Sequence, residues 1–177
     1  MSSDNLNLID FQLYLLKTML PPERLLAAAL SDLGYSVDAM HSRYEEVSRS
    51  ISIARGSQEN IKSMLEEVLI WHAEKSYVYR IPLWPKFNFI LSYDATGKFI
   101  AKAEFVRDID YPKSSEVSPW SFLEHEIDEV FSDVREVETW GHYRTYLAQE
   151  ISSGKKYFLR FAWGLLQEVE VVVDEEE

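Results

Sequence analysis

Hydrophobic residues recur at helical spacing from the N-terminus to His72, and at Tyr77 the period changes to two. Ile9, Leu13, Leu16 and Leu20 predict a first helix, stopped by Pro21-Pro22. Pro22 suits the opening of a second helix, which carries Leu25, Leu26, Ala29, Leu30 and Leu33 and ends at Gly34, a natural left-handed cap. Ser36 caps a third helix through Ser50, with Val37, Met40, Tyr44 and Val47 on one side. Arg55-Gly56 breaks the pattern. Ser57 then caps a fourth helix whose stripe runs through Ile61, Met64, Leu65, Val68, Leu69 and His72.

Residues 77–81 read as a strand that ends at Pro82. Phe87, Phe89 and Leu91, the turn Asp94-Ala95-Thr96-Gly97, and Phe99, Ala101, Ala103 and Phe105 predict a β-hairpin over about 87–106. Ser118-Pro119 opens one long amphipathic helix, about 119–138. On a helical wheel, Trp120, Leu123, Ile127, Val130, Phe131, Val134 and Val137 share an arc of roughly 120°. Val117 and Phe122 stand where a hydrophobic staple would put them. Residues 143–151 fit a strand or a short helix, and the β-formers Tyr143, Thr145 and Tyr146 favour strand. After the turn Ser152-Ser153-Gly154-Lys155, Tyr157, Leu159, Phe161 and Trp163 alternate. Gly164 kinks or ends that strand, and 165–173 forms the last one.

The predicted fold class is α+β: N-terminal helices, an antiparallel sheet from the hairpin and the C-terminal strands, and the long helix packed with it. The 177 residues fit a single domain, with 1–75 mainly helical, 76–173 holding sheet and long helix, and 174–177 an acidic tail. A chain of this length buries roughly 70% of the surface its unfolded form exposes, so no staple is needed.

Charge changes this picture most. Residues 1–103 hold 11 Lys+Arg against 12 Asp+Glu, whereas 104–177 hold 7 against 18. So one-sided a surplus attracts basic partners and repels nucleic acid and anionic membrane. Cysteine is absent, which removes disulfides, thiolate catalysis and thiolate metal sites. The N-terminal apolar run is broken by Asp10, Gln12 and Lys17, unlike a signal peptide, and no run spans a membrane. Cytoplasmic localisation is the expectation.

On the predicted long helix, Glu126, Glu129, Asp133 and Glu136 fall within roughly 80° of arc, so that one face presents four carboxylates to a basic partner. The alternative is a solvated face of an acidic protein. Glu124 and Glu126 flank His125, but neighbouring helical residues diverge by about 100° and cannot share an ion. His41, His72, His125 and His142 show no ligand spacing, and no metal or cofactor is expected. The six glycines are scattered singly, so no phosphate or dinucleotide loop exists, and no serine sits in a nucleophile elbow. Trp84, held between Pro82 and Pro85, is either a rigidly presented binding anchor or a plug of the core.

Three functions remain. The first is an acidic protein-binding module that occludes a basic partner, as an immunity or inhibitor protein does to a toxin or nuclease, or a phage-type anti-defence protein to its target. Its contact residues would be Glu126, Glu129, Asp133, Glu136 and Trp84, with no direct binding of nucleic acid or membrane. The second is an enzyme using carboxylate and histidine chemistry, although no catalytic motif is present. The third is a structural subunit that buries its aromatic surface in a homodimer or larger homo-oligomer.

Overall fold

Asn7 starts the first helix, α1 (Leu8–Met19), through a reciprocal cap. Its side chain accepts the Ile9 N–H at 2.8 Å and the Asp10 N–H at 3.3 Å, while Asp10 accepts the Asn7 N–H at 2.9 Å. The computed structural model describes residues 5–52, 57–114 and 116–173, and the chain divides into two compact units, Met1–Glu104 and Phe105–Glu177. Helices and antiparallel sheets make an α+β fold, as the sequence predicts, but the hairpin and the C-terminal strands, expected in one sheet, belong to two separate four-stranded sheets.

In the first unit α1 is followed by α2 (Glu23–Leu33), α3 (Val37–Ser52) and α4 (Ser57–Leu65). Gly34 ends α2 at φ 75°, and the Ser36 hydroxyl accepts the Ala39 N–H at 3.2 Å to start α3. The sheet is ordered β1 (Leu69–Ala73), β2 (Ser76–Tyr79), β3 (Phe87–Tyr93) and β4 (Ile100–Arg107). On β3, Phe87, Phe89, Leu91 and Tyr93 are buried and alternate with half-buried Asn88, Ile90 and Ser92. Phe89 meets Phe11 of α1 edge-on at 6.2 Å. The turn before β4 is held by Asp94, whose carboxylate accepts the Thr96 hydroxyl at 2.7 Å and the Thr96 and Lys98 N–H groups. The Thr96 hydroxyl, then the backbone donors, hold the Asp94 pKa below the ordinary carboxylate value.

The fourth helix is shorter than its periodicity predicts. It ends at Leu65, a 3-10 turn covers Glu66–Val68, and the remaining apolar residues form β1. Val68, Leu69, Ile70 and Trp71 suit a strand better than a helix, and the Glu74-Lys75 turn returns the chain against Tyr77 and Val78. His72 is therefore an exposed strand residue stacked on Tyr77 at 5.9 Å, not part of a helical stripe. Arg55-Gly56 and the tail 174–177 lie outside the described residues.

Gln12 fastens α1 to the loop after β2. It is buried, and its side-chain oxygen accepts the Leu83 N–H at 3.0 Å. Gln12→Leu keeps the volume but takes away the acceptor, which costs about 1–3 kcal/mol. Urea unfolding should show a lower midpoint with an unchanged m-value.

The second unit is built on the sheet β5 (Phe131–Trp140), β6 (Tyr143–Glu150), β7 (Lys156–Ala162) and β8 (Leu165–Val171), each antiparallel to the next. One face carries Phe131, Ala148, Leu159, Phe161 and Leu166, covered by Phe122 and Ile127 from the preceding segment. Residues 143–150 are strand, the favoured of the two readings.

The predicted helix 119–138 does not form. Residues 119–123 are irregular, with Trp120 at φ 61°; a 3-10 turn holds Glu124–Glu126; α5 is only Ile127–Val130; and β5 follows. Two bulges in β5 explain the misleading period. Asp133 inserts at φ 51°, so Phe131 and Val134, three apart, both pack toward the core. A bulged strand thereby imitates helical spacing. Val137, on the predicted apolar stripe, is exposed.

Candidate functional site

The four carboxylates expected on one helical face are dispersed. Glu126 is 1% exposed and bonded to Arg107, with Nε–Oε1 2.8 Å and Nη2–Oε2 2.7 Å. It also accepts the Leu123 N–H at 3.0 Å, and Arg107 donates to the Ser121 carbonyl at 3.1 Å. Burial alone would raise the Glu126 pKa, but the Arg107 and Leu123 hydrogen bonds and the Arg107 charge outweigh it and hold the pKa below the ordinary glutamate value. Glu126 thus fastens the 3-10 turn to the end of β4 and faces no solvent. Glu129, on α5, is exposed and ion-paired with Lys113. Asp133 is exposed in the β5 bulge. Glu136, on β5, accepts the Thr139 hydroxyl and lies 3.9 Å from Arg144.

Trp84 is 2% exposed, in the turn after β2 whose Trp84 N–H donates to the Ile81 carbonyl at 3.0 Å. It fills the core of the first unit, the second of the two roles its sequence context allows.

A different set of carboxylates reaches solvent. Four of the second unit's seven basic residues are paired: Arg107 with Glu126, Lys113 with Glu129, Arg144 between Glu124 and Glu136, and Arg160 with Glu168 at 3.1 Å, while Arg135, Lys155 and Lys156 are in none of these pairs. Among the described residues, Asp110, Asp128, Asp133, Glu138 and Glu170 are exposed and make no ion pair. Glu138 stands on β5 opposite Thr145, and Trp140 opposite Tyr143, on the face turned away from the core. Strand β5 is a sheet edge ten residues long, roughly 30 Å at about 3.3 Å per residue.

That edge ends in a ladder of rings. Trp140, 73% exposed, stacks on Tyr143 at 5.8 Å and 5°. Tyr143 meets His142 at 4.2 Å, and His142 stacks on Trp163 at 4.2 Å and 6°. The β5–β6 and β7–β8 turns hold the ladder together, with the Trp163 N–H donating to the His142 carbonyl at 3.1 Å. An exposed indole beside uncompensated carboxylates accepts a guanidinium or ammonium through both charge and ring. The sequence carries one signal for this anchor: Trp140-Gly141 placed between β-forming segments, where a hairpin turn displays the residue before it.

On the core-side face of the same strands, the Tyr146 hydroxyl donates to Glu124 at 2.6 Å. Burial, reinforced by the Glu124 carboxylate, raises its pKa above the ordinary tyrosine value. A shallow depression of about 550 Å³ beside β5 is lined by Asp133, Arg135, Gln149 and Lys156, a mixture that selects neither charge sign. In the first unit, Lys62 lies 4.7 Å above the Tyr77 ring and 3.5 Å from Glu59, so its charge is already matched. Among the described residues, no three His, Asp or Glu side chains converge as metal ligands, and no helix is long and apolar enough to cross a membrane.

Comparison of the chain with protein-family models, curated proteins and solved structures gives no match.

Proposed function

We propose that this protein is an acidic binding module that occludes a basic surface of another protein, in the manner of an inhibitor or immunity protein for a toxin or nuclease, or of an anti-defence protein. The observation that carries this reading is the surplus of exposed, unpaired carboxylates on the second unit, which remains after Arg107, Arg144 and Arg160 are taken up by internal pairs. Glu138, Asp133 and Asp128 supply long-range attraction, and Trp140 supplies a contact that persists after encounter. The contact set therefore shifts from Glu126 and Trp84, which are buried, to the exposed β5 edge. Glu129 and Glu136 remain on the exposed surface as lesser contributors, since each already has a partner.

The test is affinity capture from a lysate of the source cells at about 50 mM and about 500 mM salt, which takes the Debye length from above 10 Å to well below it. A stoichiometric basic protein held at low salt, released at high salt and not captured by Glu138→Lys/Trp140→Ala supports the reading. Capture indifferent to salt and to that variant overturns it.

A further inference from the structure

The last three residues of β5 pair with β6 without a shift: Glu138 lies opposite Thr145, Thr139 opposite Arg144 and Trp140 opposite Tyr143. The second bulge ends before them. Glu138 and Trp140 therefore stand on the same face of the sheet, about 6.6 Å apart along the strand. One face of the Trp140 indole rests on Tyr143, at 5.8 Å and 5° between planes, and the residue is still 73% exposed. Tyr143 is braced by His142 and His142 by Trp163, each at 4.2 Å, so the ring is presented on a stack rooted in two hairpin turns. Among the described residues no cation of this chain lies over Trp140, and Glu138 makes no ion pair.

We propose that Trp140 and Glu138 together take one arginine side chain of the basic partner, in preference to a lysine, an assignment that rests on the binding function above and names the group it recognises. A guanidinium is planar and weakly hydrated, so it lies flat on the free face of the indole. Its N–H groups then project from its edge, in the plane, where a carboxylate two residues along the same face receives two of them in parallel. An ammonium can also sit over the ring, but it holds its water more strongly and offers Glu138 a single hydrogen bond at a time. The choice between the two cations therefore comes from ring and carboxylate acting on one group, not from charge alone. The ladder adds to this by fixing the indole before the partner arrives, which lowers the ordering cost of contact. Net charge agrees with the occupant, since residues 104–177 hold 7 Lys+Arg against 18 Asp+Glu.

The test is nuclear magnetic resonance of the full chain, following the Trp140 indole N–H, which is identified by its absence in Trp140→Phe. The probes are the capped peptides acetyl-Gly-Arg-Gly-amide and acetyl-Gly-Lys-Gly-amide, titrated at constant ionic strength. The arginine peptide should shift the resonance saturably and bind about 2- to 5-fold more tightly than the lysine peptide. Glu138→Gln, an exposed change that keeps the fold, should weaken the arginine peptide by about 2- to 5-fold and bring the two affinities together. A resonance unmoved by either peptide, equal affinities in the wild type, or an arginine affinity unchanged in Glu138→Gln overturns the proposal. Any of these beside a salt-dependent partner that Glu138→Lys/Trp140→Ala fails to capture removes the arginine assignment and leaves the binding function. A clear arginine preference beside capture that ignores salt and that variant does the reverse.

Discussion

Glu126→Ala should destabilise the second unit by about 3–5 kcal/mol, the usual cost of breaking a buried ion pair from one side. The loss has two parts. Arg107, whose side chain is 11% exposed, is deprived of both its bonds to the carboxylate, and the buried Leu123 N–H loses its acceptor. Thermal unfolding followed by circular dichroism checks it. Glu126→Gln retains hydrogen-bonding atoms and should lose less. Replacing both partners, as Glu126→Leu with Arg107→Met, should recover much of the stability, because no charge is then left buried. The pH dependence follows from the lowered Glu126 pKa. A carboxylate whose folded pKa lies below its unfolded value of about 4.3 contributes fully above that value, and the contribution is lost as pH falls through the folded pKa. The wild type should therefore lose stability on acidification more steeply than Glu126→Gln.

This pair also explains why the sequence misleads at its most acidic segment. Glu126 falls on a helical wheel beside Glu129, Asp133 and Glu136, and only the tertiary partner Arg107, 19 positions earlier, distinguishes it. No local pattern reports such a partner. The helices α1 to α3 and the β3–β4 hairpin are legible because their signals are local: caps at Asn7 and Ser36, a left-handed glycine at Gly34, the Asp94 turn. Strands β6 and β7 are legible because they pair without a register shift, and β8 because Gly164 marks the turn before it, although its own register shifts once opposite Arg160 and Phe161. Strand β5 is not, because Asp133 and the second bulge between Glu136 and Glu138 turn a period of two into three. Strand β1 is hidden differently, since its apolar residues continue the phase of α4 for one more turn. Trp140 is legible only as a turn residue; its exposure depends on ending an edge strand.

The same bulges connect fold to surface chemistry. A regular ten-residue edge would be open to any extended chain, whereas Asp133 at φ 51° and the charges along β5 make it a poor template for backbone pairing. What that edge offers a partner is carboxylates and an indole, not a ladder of free amides. In this reading acidic β5 meets a basic surface of another protein.

Reversing the exposed carboxylates should therefore slow association without harming the fold. In Asp128→Lys/Asp133→Asn/Glu138→Lys/Glu170→Lys, position 133 takes Asn because its left-handed backbone tolerates Asn and penalises Lys. None of the four side chains is buried or ion-paired, so each change should fall within about 0.5 kcal/mol and the melting curve should hardly move. Stopped-flow association with the captured basic partner should slow by about 10- to 1,000-fold at low salt, the range that electrostatic steering supplies. The wild-type rate should fall steeply as salt rises, and the variant's should stay nearly flat. Trp140→Ala separates attraction from contact: it should leave the association rate and its salt slope in place while dissociation speeds up, because an exposed ring adds nothing at long range. Adding Glu126→Lys to the reversal would confound the result, since that variant fails by unfolding. Equal association rates for variant and wild type at every salt concentration would reduce the acidic surface to a solvated coat, and the binding function would then have to rest on Trp140 and its ring ladder alone.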